Sequence, residues 1–207
     1  MKVELTSDHP VTDAAVKAAT GKTFAQWFAA IDQAVGPDQG RAAVNKFLFN
    51  ESKVDPWWTA TLAVEYEGQH RKLQSDGLPK GYNICVTKTI ATSVAEAYAA
   101  WTTPAALSTW FGKTSEATVQ DGGTFRTADG SRGTFKRVRA GKDLRFTWDE
   151  PSQGGPSIVD VVFQDKGKGK AGVMVTHDRI QGRPAADGLR AAWGAALDAL
   201  KATLEKA

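Results

Sequence analysis

Hydrophobic positions along the chain follow two different periods. Over residues 1–75 they recur every three or four places. Phe24, Trp27, Phe28, Ile31 and Val35 stand at i, i+3, i+4, i+7 and i+11, the single stripe of an amphipathic helix. Thr23 and Gln26, three apart at its start, make a capping-box pattern that satisfies free amides. Gly36-Pro37 stops it. Val44, Phe47 and Leu48 predict a second helix, and Asp55-Pro56 opens a third, with the carboxylate as cap and proline in the first turn. Along that third helix Trp58, Leu62 and Tyr66 stack at spacing four, and a shorter helix over Thr12–Ala19, ended by Gly21, precedes them all.

The run "SDGLPKG" (75–81) holds turn formers and no periodic apolar residue. It predicts a linker over 76–81 between a small helical domain (1–75) and a second domain (82–207). There the period changes. "YNICVTKTI" reads as a strand with Ile84, Val86 and Ile90 on one parity and Cys85 on the other. Ser93-x-x-Glu96 is a second capping box, leading a helix with Val94, Tyr98 and Trp101; Thr103-Pro104 opens a short helix carrying Leu107, Trp110 and Phe111. From 115 to 178, short runs are split by "QDGG", "ADGSRG", "RAGKD", "EPSQGGPS" and "DKGKGKAG", the punctuation of an antiparallel meander of about six strands. Last comes "AADGLRAAWGAALDALKATLEKA", a long helix whose stripe is Leu189, Trp193, Ala196, Leu197, Leu200 and Leu204. It is the one element long enough to cover the apolar face of such a sheet. The fold class expected is α+β, an antiparallel sheet on a long C-terminal helix, with a small N-terminal all-α domain.

Composition changes little. A chain of 207 residues, 42% hydrophobic and 24% charged, is that of an ordinary globular protein. Nine basic side chains face ten acidic ones in residues 1–80, and seventeen face thirteen in 81–207. So small an excess gives nucleic acid no purchase. No stretch approaches a membrane span, the N-terminus lacks a signal-peptide apolar segment, and a single cysteine suits a reducing compartment. A cytoplasmic location is expected.

The blocks "ATSVAEAYAAWTTPAALSTWFG", "LRFTW", "SIVDVVF", "VMVTHD" and "AAWGAALDALKATLE", in that order over roughly 82–206, resemble the homologues of the activator of the heat-shock-protein-90 ATPase, a branch of the START-like (SRPBCC) superfamily. "TGKTFAQWFAAID" and "WWTATLAVEYE" resemble a small helical domain of unknown function often joined to such proteins. The resemblance implies a helix-grip fold in which the sheet curls round the last helix and leaves a cavity that often holds an apolar molecule. Family members often carry a histidine on the first turn of that helix, where this chain has Leu189, so no catalytic histidine transfers there.

Strand parity suggests the cavity wall. Leu144, Phe146 and Trp148 share a face, as do Val159, Val161 and Phe163, and Val173, Val175 and His177. With Trp101, Trp110 and Phe111 on the two short helices and Trp193 on the last, these make an aromatic lining. It is either a ligand pocket or a filled core. The ligand-binding set expected is Trp101, Trp110, Phe111, Phe146, Trp148, Val161, Phe163, Val175, His177 and Trp193, with Trp110 and Phe111 as a lid. His177 is expected either at the pocket mouth, to meet a polar ligand group or shuttle a proton, or as a buried, hydrogen-bonded side chain at a strand end. No metal or cofactor is expected: the three histidines lie far apart, "GKGKAG" lacks the phosphate-loop spacing, and no G-x-S-x-G elbow occurs. The function expected is binding of a small hydrophobic or amphipathic molecule. Two alternatives stand beside it. One is a co-chaperone-like module using the basic set Arg126, Arg132, Lys136, Arg137, Arg139, Lys142 and Arg145, unless these only line a solvated outer face. The other is a cyclase- or hydrolase-type enzyme using His177.

Overall fold

Both capping boxes form. The Gln26 side chain accepts from the Thr23 amide at 2.9 Å while Thr23 Oγ1 accepts from the Gln26 amide at 3.3 Å. Glu96 and Ser93 repeat the exchange at 3.0 and 3.1 Å. Such caps stabilise a helix start by about 1 kcal/mol each. The structure, a computed structural model, describes residues 3–70, 73, 77, 80–112, 114–128, 130–150 and 156–206. Residues 76, 78 and 79 of the expected linker, and 151–155 of the "EPSQGGPS" turn, lie outside the described residues.

The chain divides into two compact units, residues 7–82 and residues 1–6 with 83–207. The smaller unit holds α1 (Asp13–Thr20), α2 (Phe24–Ala34), α3 (Arg41–Asn45), a π-helical turn (Lys46–Glu51) and α4 (Pro56–Gln69). Their apolar stripes meet in one core that includes Trp27, Ile31, Leu48, Trp58, Leu62 and Tyr66. The π turn was not expected: Ser52 and Val54 donate to the carbonyls of Phe47 and Leu48, which widens the helix end. Glu67, buried on α4, is balanced by the guanidinium of Arg41.

The larger unit holds β1 (Tyr82–Ile90), α5 (Val94–Thr102), α6 (Pro104–Trp110), β2 (Thr114–Ala117), β3 (Thr124–Thr127), β4 (Arg132–Arg139), β5 (Asp143–Trp148), β6 (Ser157–Asp165), β7 (Ala171–Ile180) and α7 (Arg183–Leu204). One seven-stranded sheet runs β1-β7-β6-β5-β4-β3-β2. Every pairing from β7 across to β2 is antiparallel. The α+β architecture is the one expected. Burial alternates along β5 and β6, as a sheet covered on one face requires.

The cover is α7, whose Leu189, Trp193, Leu197 and Leu200 are fully buried. Trp193 reaches Trp148 on β5 and His177 on β7, at ring-centroid distances of 5.6 and 6.3 Å. The helix begins two residues before the expected start, at Arg183. That residue forms a bidentate ion pair with Asp187, at 3.0 and 3.2 Å, with both side chains buried. Residues 1–6, placed by the hydropathy pattern with the helices, group instead with this unit. The backbone of Glu4 comes so close to Gly188 that a Cβ there would stand 2.0 Å from its carbonyl oxygen. Only glycine fits.

Candidate functional site

The inner face of the sheet presents a row of large side chains held in register. Phe135 pairs with Phe146, Phe146 with Val159, and Val159 with His177; one row over, Leu144 pairs with Val161 and Val161 with Val175. On β3, Phe125 lies opposite Gly133 of β4. A Cβ on Gly133 would stand 2.5 Å from the Phe125 ring and 1.8 Å from the Thr147 carbonyl oxygen, so the missing side chain is what lets the ring lie down on the sheet. From the other side α5 supplies Trp101, and α6 supplies Leu107 and, at its C-cap, Phe111.

Where these meet, Trp101, Leu107, Phe111, Phe125, Phe135 and Phe146 enclose an apolar cavity. Its volume is about 20 Å³, close to the least that admits one water. The grip is therefore nearly closed by its own rings. Trp101 lies 4.6 Å from Trp110 and stacks on Trp193 at 5.9 Å, while Phe111 meets Trp148 edge-on at 5.8 Å.

All ten residues expected to bind ligand are buried. Trp101, Phe111 and Phe146 line the cavity itself. Trp110, Trp148, Phe163 and Trp193 form the ring layer against it. Val161 and Val175 pair with each other on β6 and β7 in the row behind. Leu107, Phe125 and Phe135 were not anticipated as lining. Leu107 was legible on α6, and the alternation in "TFRT" and "GTF" marks the two phenylalanines as inward-facing.

Of the two places expected for His177, the structure shows the buried, hydrogen-bonded one and not the pocket mouth. The side chain is fully buried on a strand flanked by β1 and β6, and both ring nitrogens are engaged. Trp193 Nε1 can only donate, and it donates to His177 Nδ1 at 3.1 Å. The proton of the neutral ring therefore sits on Nε2, which donates to Ser157 Oγ at 2.6 Å; the Ser157 hydroxyl donates in turn to the Trp148 carbonyl at 3.2 Å. Burial away from water pushes the ring's pKa down to about 3. A ring so held offers neither a free lone pair nor a usable proton near neutrality, and its chemistry is that of a strut joining β5, β6, β7 and α7. Ser157 shares the parity of Val159 and Val161, so its inward position was legible.

The outer sheet face also differs from a free basic patch. Arg137 and Arg139 both bind Asp143, Arg137 and Arg145 both reach Asp160, and Arg132 pairs with Asp149 at 2.8 Å. The hydrogen bond from Arg139, joined by Arg137, holds the Asp143 carboxyl below the usual carboxylate range against the opposing effect of burial. Cys85 is exposed on β1 with a free thiol. Among the described residues no group of three His, Cys, Asp or Glu side chains could hold a metal ion, and no helix is long and apolar enough to cross a membrane.

Residues 91–205 match the family model described as activator of Hsp90 ATPase homolog 1-like protein. No curated protein sequence matches the chain. Among solved structures, CalU16 from Micromonospora echinospora is 20% identical with a TM-score of 0.54, over 59% of this chain and 75% of its own. PFC0360w from Plasmodium falciparum, described as an Hsp90 activator, is 18% identical with a TM-score of 0.55, over 60% and 97%. The Aha1 protein of Colwellia psychrerythraea is 19% identical with a TM-score of 0.52, over 60% and 96%. At these identities what is shared is the START-like fold, a sheet gripping a long C-terminal helix.

Proposed function

This chain belongs to the family of activator of Hsp90 ATPase homolog 1-like proteins, and from that premise we propose that its larger unit binds a small apolar or amphipathic molecule between α6 and strands β3–β5. The observation that carries the reading is the cavity lined only by Trp101, Leu107, Phe111, Phe125, Phe135 and Phe146. An apolar cavity is the default receptor for an apolar ligand. At about 20 Å³ it is the closed state, so an occupant must displace a ring.

Phe111 is the ring best placed to move. It caps a helix of seven residues that has no side-chain N-cap, and Gly112 behind it takes a positive φ of 119°, a conformation that costs glycine little. Trp110, hydrogen-bonded to the Ala100 carbonyl at 3.0 Å, is the fixed side of the lid. Binding draws on ligand surface removed from water, at about 25 cal/mol per Å² before the cost of moving the ring.

Leu107→Trp, which fills the cavity, and Phe111→Ala, which opens it, test the reading in a titration with indane followed by backbone amide shifts. Binding that strengthens in Phe111→Ala and vanishes in Leu107→Trp supports it. Indane that binds all three proteins alike, or none, ends it. The other two readings draw less support. Docking to a chaperone rests on the family description, and the outer arginines it would use are paired with Asp143, Asp149 and Asp160. Catalysis through His177 lacks an accessible nitrogen.

A further inference from the structure

Four tryptophans surround the cavity, and their indole N–H groups are treated unequally. Trp110 donates to the Ala100 carbonyl at 3.0 Å and Trp193 to His177 Nδ1 at 3.1 Å. Trp101 and Trp148 are 3% and 0% exposed, yet their Nε1 atoms have no hydrogen-bond partner among the described residues. Native folds carry a few buried polar atoms without a partner per hundred residues, each at a cost, and here two indole donors fall within one ring cluster.

The two indoles share two neighbours. Phe111 lies 6.4 Å from Trp101 and 5.8 Å from Trp148, and Trp193 lies 5.9 and 5.6 Å from them. Trp193 is fixed by its bond to His177 on a long helix, whereas Phe111 ends a short one. Displacing Phe111 therefore opens space against both rings that carry the unpaired donors. Water is a poor partner for them, because the cavity wall formed by the described residues presents only apolar atoms and a buried water needs two to four polar partners. The missing acceptor has to arrive attached to an apolar body.

We propose that the ligand of this cavity is an uncharged, largely apolar carbonyl compound, whose oxygen accepts a hydrogen bond from Trp101 or Trp148 while its hydrocarbon part takes the place of Phe111. The inference rests on the ligand-binding reading above and narrows it. A carboxylate is disfavoured because no cation among the described residues lines the cavity, which would leave the charge buried and unpaired. An alcohol is disfavoured because its own hydrogen would find no acceptor in the wall.

The test compares indane, 1-indanone and 1-indanol, which share one skeleton, binding to the full chain. Affinity and the indole N–H signals are read from proton–nitrogen spectra. The expected result is that 1-indanone binds at least as tightly as indane, although its oxygen favours water, and about tenfold tighter than 1-indanol. An indole signal of Trp101 or Trp148 moves downfield with the ketone alone. Trp101→Phe and Trp148→Phe identify the donor by abolishing the ketone's advantage. The unsubstituted chain carries the test should either variant not fold. If indane binds about tenfold tighter than 1-indanone and the indole signals move alike, the carbonyl inference is overturned while the apolar-ligand reading stands. If none of the three binds, both fall.

Discussion

Acidification should weaken the larger unit through His177. The ring is fully buried, donates to Ser157 and accepts from Trp193, and carries a pKa of about 3 against an ordinary 6.5. For a base with a depressed folded pKa, the unfolded chain takes up a proton that the folded one refuses. Stability is then full above about pH 6.5 and drains away as pH falls toward 3. The uptake by the unfolded chain at pH 4.5, less the small part already present at pH 7, amounts to about 2–3 kcal/mol. Carboxylates also titrate in that range, so the quantity to measure is the difference between the native chain and His177→Gln. Glutamine keeps one donor and one acceptor but has no titration. Amide hydrogen exchange of β6 and β7, read at both pH values, confines the measurement to this unit. The native chain should lose about 2–3 kcal/mol more than the variant; parallel losses would refute the buried neutral ring.

Two further substitutions probe the same core. Trp193→Phe leaves His177 Nδ1 without its donor, whereas Trp148→Phe removes an N–H that had no partner. Urea unfolding should place the first about 1–3 kcal/mol below the second although both rings are fully buried, and equal losses would contradict the assigned bonds. Arg183→Met removes the bidentate guanidinium partner of the buried Asp187 carboxylate and should cost about 3–5 kcal/mol, much of it recovered in Arg183→Met/Asp187→Leu; a double variant as unstable as the single one would refute that pairing.

Local grammar carried much of this fold. The caps at Thr23, Asp55 and Ser93 act on amides two or three residues away, so the sequence shows them directly. Parity placed Phe146, Trp148, Val161 and Phe163 on the inner face because one face of the sheet is covered. What the sequence hid depends on which strands become neighbours. The sequence allows His177 two places, and β7 lying between β1 and β6 decides for the buried, hydrogen-bonded one. It allows the arginines two roles, a basic patch or a solvated outer face, and the β4–β5–β6 register sets Asp143 and Asp160 beside Arg137 and Arg145. Phe125 was overlooked, although the alternation in "TFRT" shows it, because β3 is only four residues long. The tightness of the ring cluster is a property of packing that no period encodes.

The claim on which the rest turns is that Phe111 can swing away to admit a molecule into the closed grip. A crystal structure of the full chain saturated with 1-indanone tests it directly. The account predicts the ketone between Leu107, Phe125, Phe135 and Phe146, with Phe111 swung away and the carbonyl oxygen within hydrogen-bond distance of Trp101 or Trp148 Nε1. An unaltered ring cluster with no ketone inside it would contradict the account.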